Sequence, residues 1–194
     1  MKKQLLFLFI SLGFSIACTA EMVYKSGYVI LNSGDTVRGD IKVNTKKELP
    51  LFAKVILKQG ETSKTYKPEQ VKGYSLDGTQ FLTRKLDGEM VFLKVVTSGR
   101  ILIFEYQFEV YHGDQTVVEK EYYVEKNDGV SNELVKLKGN KFKRLSVELM
   151  SDHSELVAKI NAEDKKMEFA EMQAYIEEYN SWHSNQSQEA RGTR

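Results

Sequence analysis

The chain has 194 residues, 41% of them apolar and 11% aromatic, with a net charge of +1 at pH 7. This length suits one domain with a substantial core, and so even a charge balance gives no electrostatic pull toward nucleic acid or an anionic membrane surface. The single cysteine, Cys18, excludes an intramolecular disulfide, so stability must come from packing and sheet hydrogen bonds.

Residues 1–20 have the layout of a secretory signal peptide. Lys2 and Lys3 precede an uncharged run from Leu5 to Ile16, and the small residues Ala17 and Ala20 follow, which are the basic, apolar and cleavage regions in order. The apolar run covers about 18 Å as a helix, short of the roughly 30 Å core of a bilayer. Without Lys2 and Lys3 the mature chain carries 26 basic against 27 acidic residues, still close to neutral. Cys18-Thr19-Ala20 is an acceptable small-x-small site, so cleavage after Ala20 is the favoured outcome. The competing outcome is lipidation of Cys18: Ala17 suits it, but Ser15 stands where a leucine is usual. Either way the expected location is the periplasm or the outer membrane, and a lipid on Cys18 is the one expected route to a membrane.

From Gly27 to Leu137 the apolar period is two. Val37, Ile41 and Val43 fall on one face of Thr36–Val43, with Arg38, Asp40 and Lys42 on the other, as a half-buried strand requires. Tyr28–Leu31 precedes it across the turn residues Asn32-Ser33-Gly34-Asp35, predicting a hairpin. Further strands are predicted at Ala53–Lys58, Ser63–Tyr66, Gly73–Leu76, Gln80–Lys85, Met90–Thr97, Arg100–Tyr111, Val117–Lys126 and Glu133–Leu137, with one helical turn at Lys67–Val71. The breaks between them are mostly Asp-Gly, Ser-Gly or Gly-Asp pairs, and such short turns imply antiparallel neighbours.

After Phe142 the spacing becomes helical. Phe142, Leu145, Leu149, Leu156, Val157 and Ile160 form one stripe, broken by a Ser151-Asp152 cap. Phe169, Met172, Ile176 and Tyr179 form another, with Asp164 as its expected cap. Residues 184–194 are polar and aperiodic and are assigned to a disordered tail. The chain thus divides into a leader (1–20), an antiparallel β domain (21–140), a helical segment packed on the sheet (141–183) and the tail. Strands followed by helices give an α+β class, mainly antiparallel β as a bent sheet, sandwich or barrel.

Chemistry-bearing motifs are few. His112, His153 and His183 lack metal-ligand spacing, no Gly-x-Ser-x-Gly elbow occurs, and no cofactor is implied. Glu105 and Glu109 share one strand face, about 13 Å apart, too far for a glycosidase pair, although Glu119, Glu121 or Glu125 lies on the next strand. The plainer expectation is a solvated sheet face. Tyr106, Tyr111, Tyr122 and Tyr123 are candidates for a sugar- or peptide-binding surface.

Gly27-Tyr28-Val29-Ile30-Leu31-Asn32-Ser33-Gly34-Asp35-Thr36-Val37-Arg38-Gly39-Asp40-Ile41 resembles the opening of a group of secreted, uncharacterised proteins of Bacteroidota that begin with a GYI…GDT…G.I hairpin. The likeness extends through Tyr66–Tyr74, Met150–Leu156 and Tyr179–Trp182. It implies an exported envelope protein and carries over no active-site residue. The leading expectation is therefore a non-catalytic module that binds an envelope protein or glycan. The alternatives are a small-molecule or lipid carrier with a barrel cavity, and a hydrolase built on Glu105.

Overall fold

A computed structural model describes residues 21–127 and 133–192, with side chains as far as residue 188. The predicted leader and Cys18 lie outside the described residues. The expected hairpin forms: β1 (Met22–Leu31) and β2 (Thr36–Asn44) pair antiparallel from Met22↔Asn44 to Ile30↔Thr36. Strand β1 starts ahead of the predicted Tyr28, because Val23 and Lys25 find partners in Val43 and Ile41.

A short helix, α1 (Pro50–Ala53), interrupts what the sequence suggests is a direct entry into β3 (Val55–Gln59). Pro50 occupies the first turn, where its missing N–H costs nothing. There follow β4 (Thr62–Tyr66), a 3₁₀ turn at Pro68–Gln70, β5 (Val71–Leu76), β6 (Thr79–Leu86), β7 (Glu89–Thr97), β8 (Ile101–His112), β9 (Gln115–Lys126) and β10 (Val135–Lys136). The strands form one ten-stranded antiparallel sheet in the order β10-β9-β8-β7-β6-β5-β1-β2-β3-β4. Strand β5 returns to pair with β1, so the first strand lies inside the sheet, and β4 and β10 are its edges. The mainly antiparallel sheet with helices after it is the α+β arrangement expected from the sequence.

Two apolar cores sit on one face of this sheet. In the first, Leu51 and Phe52 of α1 pack on Val29, Ile41, Val55, Leu57, Phe81 and Phe92. Tyr74 stacks on Phe81 at 4.6 Å, meets Phe92 edge-on at 4.9 Å, and donates its hydroxyl to the Leu51 carbonyl at 2.7 Å. The second core packs α2 (Phe142–Leu149), α3 (Ser154–Ala162) and α4 (Phe169–Gly192) on Ile101, Ile103 and Val124. The opposite face buries Leu93, Leu102, Phe104 and Tyr123. There Arg84 donates to both Glu125 oxygens at 2.6 and 3.0 Å, with its guanidinium 5.2 Å from the Phe104 ring centre.

The helix ends differ from expectation in an instructive way. Helix α3 is capped by His153, whose Nδ1 accepts from the Leu156 N–H at 3.3 Å. Asp152, the expected cap with Ser151, instead accepts the Tyr179 hydroxyl at 2.9 and 2.8 Å. Helix α4 begins at Phe169 rather than just after Asp164, and Glu171 accepts from the Glu168 N–H at 2.9 Å in its first turn. It continues to Gly192, through the segment assigned to a disordered tail. Extending an anchored helix adds a hydrogen bond per residue without a new nucleation cost, and no glycine or proline intervenes before Gly192.

Asn180 docks α4 on the sheet. Its Oδ1 accepts from the Ile101 N–H at 2.8 Å, and its Nδ2 donates to the Ile101 carbonyl at 2.8 Å and the Ser98 carbonyl at 3.3 Å. Gly99 makes room for it: a Cβ there would lie 2.5 Å from the Asn180 Cγ, and its φ of +147° disfavours any other residue. Among the described residues, no helix is long and apolar enough to cross a membrane.

A candidate binding groove where the sheet forks

The ladder between β7 and β8 runs only through Thr97↔Ile103, Val95↔Phe104 and Lys94↔Glu105. Beyond it both strands continue, β7 back to Glu89 and β8 on to His112, without pairing to each other. Glu48, just ahead of α1, sits in the fork. One of its carboxylate oxygens accepts from Lys94 Nζ of β7 at 2.6 Å and the other from Gln107 Nε2 of β8 at 2.9 Å. A single carboxylate therefore bridges the two diverging strands.

The space opened by the fork is a groove of about 710 Å³. Leu49, Pro50 and Phe52 form one wall, Pro68 and Glu69 of the 3₁₀ turn another, and Met90 and Val91 of β7 with Tyr106 and Phe108 of β8 complete the lining. Tyr106 alternates to the opposite side of β8 from Gln107, yet its ring comes within 5.9 Å of Phe52 and stacks on Phe108 at 6.0 Å. Met90, in the lining, is 37% exposed. Glu69, Glu89 and Glu109 line the same groove and have no ion-pair partner among the described residues, so its lining is acidic overall despite Lys67.

Deeper in the fork, Glu105 is only 6% exposed. One oxygen accepts from Gln107 Nε2 at 2.7 Å, both accept from Lys120 Nζ at 3.2 Å, and the Tyr122 hydroxyl donates at 3.2 Å. Burial pushes the pKa of this carboxyl up, but donation from Gln107 and Lys120 and the charges of Lys120 and Lys94 outweigh it, so the carboxyl lies below its ordinary value. Burial and the adjacent Glu105 push the Tyr122 hydroxyl up. This arrangement holds Glu105 ionised.

The candidates named from sequence end in different places. Tyr106 lines the groove, while Tyr111, 74% exposed, stands near the tip of the β8–β9 hairpin. Tyr122 is bound to Glu105 and packs its ring 4.3 Å from Phe169. Tyr123 is buried on the opposite face and donates to Glu121 at 2.6 Å. The four do not share a surface. Glu105 and Glu109 do share a strand face, but the face is not uniformly solvated: Glu109 is exposed and Glu105 is covered. The carboxylates of the neighbouring strand turn elsewhere, Glu119 to His112, Glu121 to Lys136 and Glu125 to Arg84. No group of His, Cys, Asp or Glu side chains among the described residues is placed to hold a metal ion.

The chain matches no family model, no curated protein and no solved structure.

The residues that sequence reasoning passes over are Glu48, Met90 and Phe108, together with Glu69 and Glu89. Their one local signal is Glu48-Leu49-Pro50-Leu51-Phe52, an apolar cluster around a proline ahead of a strand. Periodicity does not mark it, because its partners are contributed by strands far along the chain.

Proposed function

We propose that this is an exported, non-catalytic envelope protein that binds a partner in the groove between β7 and β8. The observation that carries the reading is the fork itself: two strands of one sheet diverge around Glu48, which bonds to both, and the opening exposes apolar side chains beside Glu69, Glu89 and Glu109, which have no ion-pair partner among the described residues. Binding sites are typically concave, apolar and furnished with a few fixed polar groups, which describes this groove. The carrier alternative has less in its favour, because rings of Phe52, Tyr74, Phe81 and Phe92 fill the space beneath α1. The hydrolase alternative requires a carboxyl raised toward neutrality, whereas Glu105 is held below its ordinary value.

Export is tested by mass spectrometry of the mature N-terminus, with a chain beginning at Glu21 as the expected result and a diacylglyceryl Cys18 as the competing one. The groove is tested with a photo-crosslinking residue placed at Phe108 and, as a remote control, at Ser63 of β4. An envelope partner should be captured from Phe108 alone, and Met90→Arg should abolish the capture while leaving the circular dichroism spectrum unchanged. Identical products from both positions would remove the groove from consideration.

A further inference from the structure

We propose that the groove accepts an extended peptide segment that adds to β8 as a strand, with cationic side chains alternating with apolar ones. This rests on the partner-binding reading above and specifies the partner. The β8–β9 hairpin turns at Gly113-Asp114, and His112↔Gln115 is its first pair. Residues flanking a two-residue turn exchange hydrogen bonds, and bonding then alternates along the ladder. Tyr106, Phe108 and Val110 therefore bond to β9, while Gln107, Glu109 and Tyr111 turn their N–H and C=O groups toward the β7 side. There β7 has already diverged, and no other described residue bonds to the main chain of Glu109 or Tyr111. An unpaired strand edge of this kind is a template for an added strand.

The side chains define what such a strand carries. On one face the newcomer meets Tyr106, Phe108 and Val110, and on the other it meets Gln107 and Glu109, with Glu69 also lining the groove. Alternate positions on a strand point to opposite faces, so apolar side chains fit the first set and Lys or Arg the second. A glycan offers hydroxyls but no row of alternating donors and acceptors at strand spacing. A second copy pairing symmetrically about Glu109 sets like charges opposite one another, which is unfavourable.

The test uses the full mature chain and a capped peptide of alternating Lys and Val, with a peptide of the same composition in blocks as control. Amide exchange followed by NMR should slow at Gln107, Glu109 and Tyr111 with the alternating peptide only. Tyr111→Pro removes an edge-facing N–H without touching a bond to β9 and should weaken binding about tenfold or more. Glu109→Gln keeps its N–H and should instead flatten the salt dependence. The alternating peptide N-methylated at every second residue tests the same bond on unaltered protein and should not bind. Equal binding of the blocked peptide, no slowing at the three amides, or indifference to N-methylation each overturns strand addition. Slowed exchange without peptide, accompanied by a doubled mass in sedimentation, overturns it in favour of a second copy. Capture at Phe108 that survives Tyr111→Pro leaves the groove as a binding site and removes only the strand-pairing mode.

Discussion

At the residue scale, a few polar side chains fix long-range geometry. Asn180 satisfies both main-chain groups of Ile101 from a helix far along the sequence. Asn180→Ala strands these buried groups and is expected to cost about 3 kcal/mol, read as a lower midpoint in urea. Gly99→Ala should cost a similar amount, since its added Cβ collides with the same side chain. The acid dependence follows from Glu105 and Asp152. Burial opposes ionisation of both, but donors and nearby lysines hold each below its ordinary value of 4.5 or 3.8. A carboxyl lowered on folding contributes fully above its unfolded value and loses that contribution as pH falls through the folded one. Stability should thus be level near neutrality and decline below about pH 4.5. Lys120→Met should be weaker than the parent at pH 7, with the gap narrowing toward pH 3 as Glu105 protonates; a constant gap would show that Lys120 does not act through Glu105. Alternation in the sequence puts Glu105 on the right face of its strand. Its burial is not legible there, because the partners that enclose it, Lys120 and Tyr122, come from the next strand, which periodicity within β8 does not report.

At the element scale, strands were legible wherever alternation met a turn, and helices wherever the spacing became three and four. The misses have specific causes. Helix α1 is too short to show a period, and the beginning of β1 shows little alternation because Lys25 shares a face with Val23. The far end of α4 has no apolar stripe, and its residues 184–188 are exposed, yet it propagates from a docked helix. The β1–β5 contact adds a constraint that sequence patterning only hints at. Gly27 faces Gly39 on one side and Leu76 on the other, and a Cβ at Gly27 would lie 2.3 Å from the Ser75 carbonyl oxygen. Gly27→Ala is expected to lose about 1–3 kcal/mol through this overpacking, measurable as a shift in thermal midpoint. An unchanged midpoint would mean that β1 and β5 can separate freely.

At the scale of the whole molecule, two cores share one sheet and a polar seam runs between them, from Lys94 through Glu48, Gln107 and Glu105 to Lys120. Strands β7 and β8 belong to both halves, so neither core can dissolve without unpairing the other. Trp182, packed against the helical core, should therefore report the same unfolding midpoint as far-UV circular dichroism; an earlier Trp182 transition would indicate that the helices detach by themselves. The position of β1 has a further consequence for how the protein would be held. Strand β1 enters the sheet near the end where β5 finishes and β6 begins, as Gly27↔Leu76 and Leu76↔Thr79 show, while the groove opens at the other end, where β6 finishes and β7 begins. If Cys18 carries a lipid, residues 19–21 span at most about 10 Å, and the tether emerges from the middle of the sheet. The membrane would then grip the strands at one end and leave the mouth of the groove at the other, presented to whatever approaches from the aqueous side.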